Sequence, residues 1–212
     1  MNPRSELLAG AALGEKSEPV ALVDMDGTIA NFSKGLGDAM KTLETPEENG
    51  KWDYEDYDQD TEPDFMKARR RLVKHVPGFW RNLPRIERGF KILDILTELD
   101  FDIIIFTKAP THQPSAFMEK AEWCEENLVG YKYKLSMVQD KGLHYGKLLV
   151  DDWPKYVSRW LQFRPRGHVI MPSCKYNRDF NHDQVIRYEG NSAAEIQMIA
   201  ARIAQIRREC RP

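Results

Sequence analysis

The sequence predicts an α/β fold, a parallel sheet flanked by helices with a small helical insertion after the first strand. Three observations predict it. Short unbroken apolar runs recur at Val20-Ala21-Leu22-Val23, at Phe101 to Phe106 and within Lys147 to Asp152 (KLLVDD); such runs read as strands buried on both faces, as in a parallel sheet. Segments of helical period separate them. Two of the runs end in paired acids, at the strand-to-loop transition where open α/β sheets bind ligands. The chain of 212 residues has room for one domain with a sizeable core and an insert.

Pro19 sets the start of the first strand, and the eighteen residues before it read as a loose tail. Leu7 to Leu13 is rich in Ala and Leu but short, and Glu6 stands between it and Arg4, which argues against a secretory signal. The first strand runs into Asp24-Met25-Asp26-Gly27-Thr28. Carboxylates at i and i+2 of an extended chain point to the same side. Like charges that close are costly unless a cation lies between them or one is protonated. That cost suggests a use, with one carboxylate as nucleophile and metal ligand and the other as proton donor and acceptor. A plain turn is the structural alternative, since Asp and Gly are both turn formers.

After Phe32 the character changes. Ser33 to Met40 begins a helix, and Glu44 to Asp64 is crowded with acids and aromatics, punctuated by Pro46, Gly50 and Pro63. Met66 to Lys74 reads as a basic helix, and the acidic and basic runs read most simply as two solvated faces that pair. Residues 33–80 are expected to form a helical cap over the strand ends, with residues 19–32 and 81–212 as the core domain. Pro77-Gly78-Phe79-Trp80 closes the cap; its two aromatics serve either as cap core or as a stacking platform for a flat ring.

Ile86, Phe90, Leu93, Leu96 and Leu99 form one helical stripe. The strand at Phe101 to Phe106 ends in Thr107-Lys108, a hydroxyl and an amine suited to an anion, although Thr also serves commonly as a helix N-cap. Ser115 to Leu128 reads as a helix carrying Lys120 and Trp123, closed by Gly130. Asp140-Lys141-Gly142 lies in a turn, and the KLLVDD strand ends in Asp151 and Asp152 before Pro154 starts another helix. His168 to Met171 reads as a strand and Val185 to Tyr188 as an edge strand. Asn191 to Arg208 reads as an amphipathic helix with Ile196, Ile199, Ile203 and Ile206 inward.

Composition narrows the function classes. Apolar residues at 42% and charged ones at 30% suit a soluble globular protein, and a net charge of −2 gives no reason to expect nucleic-acid or membrane partners. Cys124, Cys174 and Cys210 are far apart and odd in number, neither a disulfide framework nor a zinc pattern, so a reducing, cytoplasmic setting is expected.

The order of these features resembles the four motifs of the haloacid dehalogenase superfamily, and within it the chain is most similar to the 5′(3′)-deoxyribonucleotidase family. That family runs DMDGV-x-A-x-F, PGFF or PGFW with R-N-L, T-S-P, K-x-x-W, D-K-T and I-D-D. This chain has DMDGTIANF, PGFWRNL, FTKAP, KAEW, DKG and VDD in the same order, within Val20 to Asn177. The resemblance implies a Rossmann-like, three-layer core with a small cap, and a phosphatase for (deoxy)nucleoside 5′-monophosphates, deoxy pyrimidines foremost. By the same resemblance Asp24 is the nucleophile that forms an aspartyl-phosphate, and Asp26 protonates the leaving oxygen and then activates water. Mg2+ would sit on the Asp24 carboxylate, the Asp26 carbonyl and Asp152, with Asp151 supporting. Thr107, Lys120 and Lys141 would hold the phosphate, and Phe32, Phe79 and Trp80 would receive the base. Lys108 stands where the family has Ser, and is a further candidate phosphate contact. Trp153 replaces an Arg and Asn31 an acid; these departures bear on substrate rather than on catalysis.

The implied partner is a small nucleoside monophosphate, without a membrane or a stable nucleic-acid partner, and a homodimer is left open. Two rivals stand beside this expectation. One is the same chemistry on another small phosphate ester or a polynucleotide end; the other is a non-catalytic binding module on the same fold.

Overall fold

A computed structural model of the chain describes residues 19–54 and 62–209. The expected N-terminal tail, Cys210 and the middle of the acidic segment lie outside the described residues. Six strands form one all-parallel sheet: β1 (Val20–Val23), β2 (Asp102–Thr107), β3 (Tyr133–Met137), β4 (Leu148–Val150), β5 (His168–Pro172) and β6 (Val185–Tyr188). Their order is β3-β2-β1-β4-β5-β6. The register places Val20 against Asp102 and Ala21 against Leu148, so β1 lies between β2 and β4.

Alternate residues of the central strands go to opposite faces, and both faces are dry. Ala21, Val23, Ile103, Ile105, Leu148 and Val150 join one apolar cluster with α3 (Glu87–Glu98), α4 (Pro114–Asn127) and α6 (Ala193–Arg208). Leu22, Leu149, Val169 and Met171 join a second cluster with Val157, Trp160 and Leu161 of α5 (Pro154–Gln162). The result is three layers, as expected. Pro114 and Pro154 open α4 and α5, where the missing N–H leaves no helical bond unmade. Ser192 caps α6 by accepting the Glu195 N–H at 3.1 Å.

Between β1 and α3 the chain forms α1 (Phe32–Lys41) and α2 (Asp64–Lys74), which pack on each other. Asn31 caps α1, its side-chain oxygen accepting the Lys34 N–H at 3.0 Å. Leu36, Met40, Tyr54, Met66 and Val73 belong to the same apolar cluster as Met25, Ile29 and Phe90. The acidic and basic runs do pair, but not as solvated faces: Arg69 reaches Glu48 at 3.1 Å with both side chains largely covered, and Arg70 forms a buried ion pair with Glu62.

Strand β3 has no counterpart in the sequence reading, which leaves residues 131–139 unassigned. It is the edge strand beside β2, half-buried at Tyr133, Leu135 and Met137, with Lys134 exposed between them. A half-buried edge needs no continuous apolar run, so its signal is a short, weak alternation.

Candidate active site

The ends of β1, β2 and β4 meet at the centre of the sheet. The Asp24 N–H donates to Val150 O at 2.8 Å, which carries β1 one residue further beside β4. The chain then turns sharply, and the N–H groups of Ile29 and Ala30 both donate to Met25 O, at 2.9 and 2.8 Å. Gly27 makes this turn at φ +84, and a Cβ there would lie 2.1 Å from Asp152 Oδ2. Both the conformation and the approach of Asp152 require glycine. Gly89, at the start of α3, lets that helix press on the same loop: a Cβ there would lie 2.1 Å from Thr28 O.

Each of the two acids on this loop is held by its own buried lysine. Lys141 Nζ lies 2.6 Å from Asp24 Oδ1 and 2.7 Å from Asp151 Oδ2. Burial pushes the Lys141 ammonium down, but the Asp151 and Asp24 carboxylates outweigh it and hold the value above the ordinary lysine range. Lys120 pairs with Asp26 Oδ2, donates to Thr107 Oγ1 at 3.0 Å and to the Lys108 carbonyl at 2.7 Å. Asp26 is about a quarter open to solvent, yet its Oδ1 is buried and has no hydrogen-bond partner. Burial raises the Asp26 pKa; Lys120 opposes the rise and the Asp24 charge adds to it.

Asp151 and Asp152 stand at the end of β4, both buried. Asp151 Oδ1 accepts the Trp153 N–H at 2.9 Å, and burial, opposed by Lys141, pushes its carboxyl up to about 6. Asp152 meets hydroxyl donors: Thr28 Oγ1 at 3.3 Å on Oδ1, and the Tyr176 hydroxyl on Oδ2. Asn177 Nδ2 donates to the Asp152 carbonyl at 2.8 Å and to Pro172 O at 2.9 Å, locking the end of β4 to the end of β5. Burial and then the neighbouring Asp24 and Asp151 charges raise Asp152 well above the usual carboxylate range.

Oxygens of Asp24, Asp151 and Asp152 lie within 4.8 Å of one another. Three buried carboxylates face one bonded ammonium here, and the side chains that meet Asp152 are the hydroxyls of Thr28 and Tyr176. A hard divalent cation with oxygen ligands fits such a donor set. Nitrogen donors meet both Asp151 oxygens, Lys141 on Oδ2 and the Trp153 N–H on Oδ1, while Asp24 meets Lys141 on Oδ1 and Asp152 meets the hydroxyls of Thr28 and Tyr176.

The expected ring-binding residues also come together. Phe32 stacks on Trp80 at 5.5 Å with the planes 21° apart, and Phe79 stands edge-on to Phe32 at 6.0 Å and to Trp80 at 5.1 Å. Phe79 and Trp80 are buried, Phe32 half-buried. Lys120 Nζ lies 4.8 Å from the Trp80 ring centre, which joins this aromatic wall to the acid end of the site. Lys108 is brought near by its backbone, while its half-exposed side chain reaches toward Tyr156, 5.9 Å from the ring centre. Lys141 approaches the same ring at 4.9 Å. Trp153 packs on Tyr176 with ring centres 4.9 Å apart.

Thr28, Tyr176 and Asn177 were assigned no role from sequence. Thr28 sits inside the acid motif, where the sequence reading gives roles to the two carboxylates alone. Tyr176 and Asn177 follow β5 with no spacing that points to Asp152.

Residues 18–204 match the family described as 5′ nucleotidase, deoxy (pyrimidine), cytosolic type C protein. The human cytosolic-type 5′(3′)-deoxyribonucleotidase is 28% identical over 166 residues, covering 74% of this chain and 81% of that protein. A Vibrio phage KVP40 protein that provisionally bears the name 5′(3′)-deoxyribonucleotidase is 24% identical over 157 residues, covering 73% of this chain and 79% of its own length. Among solved structures, a haloacid dehalogenase-like hydrolase from Burkholderia xenovorans LB400 superposes with a TM-score of 0.54 at 14% identity, over 90% of this chain and 98% of that one. The fold and the ordered motifs thus agree with a match over most of the sequence: the chain belongs to the cytosolic type C family of 5′ nucleotidases and is a phosphoric monoester hydrolase on a haloacid dehalogenase-like fold.

Proposed function

We propose that the protein hydrolyses (deoxy)nucleoside 5′-monophosphates through an aspartyl-phosphate on Asp24. The observation that carries this reading is the separate lysine held by each acid of one loop, Lys141 on Asp24 and Lys120 on Asp26. A nucleophile and a proton donor must differ in protonation, and separate surroundings can keep them different. In the first step an Asp24 oxygen attacks phosphorus, the bond to the leaving 5′-oxygen breaks, and that oxygen takes a proton from Asp26. In the second, Asp26 takes a proton from water, the oxygen of which attacks phosphorus, releasing inorganic phosphate and the Asp24 carboxylate. Thr107, Lys120 and Lys141 hold the phosphoryl oxygens, since phosphoryl transfer is mainly positioning and charge neutralisation. Mg2+ held by Asp24, Asp152 and the Asp26 carbonyl would polarise the phosphoryl group and offset the repulsion between dianion and carboxylates. Residues 33–80 act as a cap, and Phe32, Phe79 and Trp80 form the wall on which the base rests.

Phosphate release from a panel of nucleoside monophosphates, with glycerol phosphate as a ring-less control, tests the reading. Activity requires Mg2+, and full turnover in excess chelator would overturn the metal assignment. Trp80→Ala is expected to lower kcat/KM for the nucleotide by the worth of one stacking contact, about 1–3 kcal/mol, and to spare the control ester. Equal losses on both, with a lower Tm, would make Trp80 cap core alone.

The carboxylates also set a pH dependence. Asp151 and Asp152 have folded-state values above the ordinary 3.8. Their contribution to the stability of the metal-free protein is present below that value and lost as pH rises through about 6 and beyond. Asp152→Asn removes one of the crowded charges. Metal-free variant is therefore expected to melt above metal-free wild type at neutral pH, by roughly 2–4 °C per kcal/mol relieved. Added Mg2+ raises the wild-type Tm and leaves that of the variant nearly unmoved; an equal Mg2+ shift in both removes Asp152 from the ligand set.

A further inference from the structure

Helix α4 does more than carry Lys120. Two of its side chains and its N-cap residue grip the segment that returns from the insert to the core. Gln113 Nε2, just before the helix, donates to Lys74 O at 2.5 Å. Glu119 Oε1 accepts the Gly78 N–H at 2.9 Å, and Glu119 Oε2 accepts the Trp80 N–H at 3.0 Å. Trp123 Nε1 donates to Leu83 O at 2.7 Å. Glu119 is buried, and Gly78 sits at φ +85, so the Pro77 to Trp80 turn is folded around this one carboxylate. The next residue in the chain, Lys120, points at Asp26 and Thr107.

We propose that Glu119 is a positioning residue for substrate recognition: it fixes the aromatic wall at Trp80 relative to Lys120, and thereby sets the span between phosphate and ring that the site accepts. This rests on the reading that Trp80 faces the nucleobase. A carboxylate receiving two peptide N–H groups is a charge-assisted clamp. It is anchored on a helix that is itself tied to the returning chain on either side of it, at Lys74 through Gln113 and at Leu83 through Trp123, so it transmits the position of α4 to Trp80 with little play. A site whose phosphate end and ring wall are rigidly spaced discriminates between esters that put the phosphate at different distances from the base. The 5′- and 3′-monophosphates of one nucleoside differ in that respect.

The test compares wild type, Glu119→Gln and Glu119→Ala on a pyrimidine deoxynucleoside 5′-monophosphate, its 3′ isomer and glycerol phosphate, with amide hydrogen exchange read at Gly78 and Trp80. Gln keeps one acceptor oxygen and Ala none, so the loss is graded. In the Ala variant KM for the 5′-monophosphate is expected to rise about tenfold, the scale of a lost bond to a charged group. The 5′ to 3′ ratio falls, the two amides exchange faster, and glycerol phosphate turnover changes far less. Gln lies between, and it remains informative if the Ala variant does not fold. Wild-type selectivity that persists in the variants, or unchanged exchange at Gly78 and Trp80, overturns the role of Glu119. Uniform loss on all three substrates reduces it to a structural contact and overturns the proposal too. Wild type that handles glycerol phosphate as well as the nucleotide overturns the ring-recognition reading itself, and Glu119 falls with it.

Discussion

Asp24→Asn is expected to abolish phosphate release while the fold survives. The amide keeps the shape of the carboxylate but lacks the charge that attacks phosphorus, and removal of a catalytic nucleophile costs on the order of 10⁴ or more in turnover. Lys141 keeps its 2.7 Å bond to Asp151, so no buried ammonium is stranded. One of three crowded acids becomes neutral. Thermal melting should therefore be no lower than in wild type, and trapping with acid should find no phosphoryl group on the protein. Comparable activity in the variant would remove Asp24 from the mechanism.

Asp26→Asn is the second large effect, and its size depends on the leaving group. Loss of a general acid costs typically about 10²–10⁴, and the cost falls on esters whose leaving oxygen must be protonated. A nucleoside 5′-alkoxide is such a group; an activated aryl phosphate leaves without help. The variant should thus lose far more on nucleotides than on an aryl ester, and equal losses would withdraw the general-acid role. The pH profile follows the same proton. Burial raises the Asp26 pKa, Lys120 notwithstanding, which holds the acid form to higher pH. Nucleotide turnover should fall on the alkaline side as that proton is lost, while aryl turnover falls less.

The acids were legible because their chemistry is written in local spacing. Asp24 and Asp26 are two residues apart at a strand end, and Asp151 and Asp152 are adjacent at another. Lys141 and Lys120 were legible through the order of motifs as candidate phosphate contacts; that each is buried against an acid, Asp24 for Lys141 and Asp26 for Lys120, was not. Glu119 was not legible. Together with Glu122, Glu125 and Glu126 it reads as the solvated face of a helix, and only the return of the chain at Gly78 and Trp80 shows what it holds. Tyr176 was hidden for a related reason, since its partner Asp152 lies 24 positions earlier, at the end of the neighbouring strand. Lys108 marks the difference between adjacency in sequence and in space: it follows Thr107 directly, yet its carbonyl, not its ammonium, meets Lys120. Among the described residues no helix is long and apolar enough to cross a membrane.

The central place of β1 has a consequence for how the molecule is made. Its hydrogen-bonding neighbours are β2, which begins at Asp102, and β4, which begins at Leu148. Pairings between such distant segments form slowly, because chain entropy is lost before the contacts that compensate it exist. During synthesis Val20-Ala21-Leu22-Val23 emerges before both of its neighbours and waits for Leu148–Val150 before both its edges are covered. Until then it is a bare apolar strand with open hydrogen-bonding edges, the kind of segment that seeds aggregation. Asp24 and Asp26, charged and next to it in sequence, flank that strand as gatekeepers during the wait. A variant neutralised at both positions should therefore accumulate as insoluble protein more readily than either single variant.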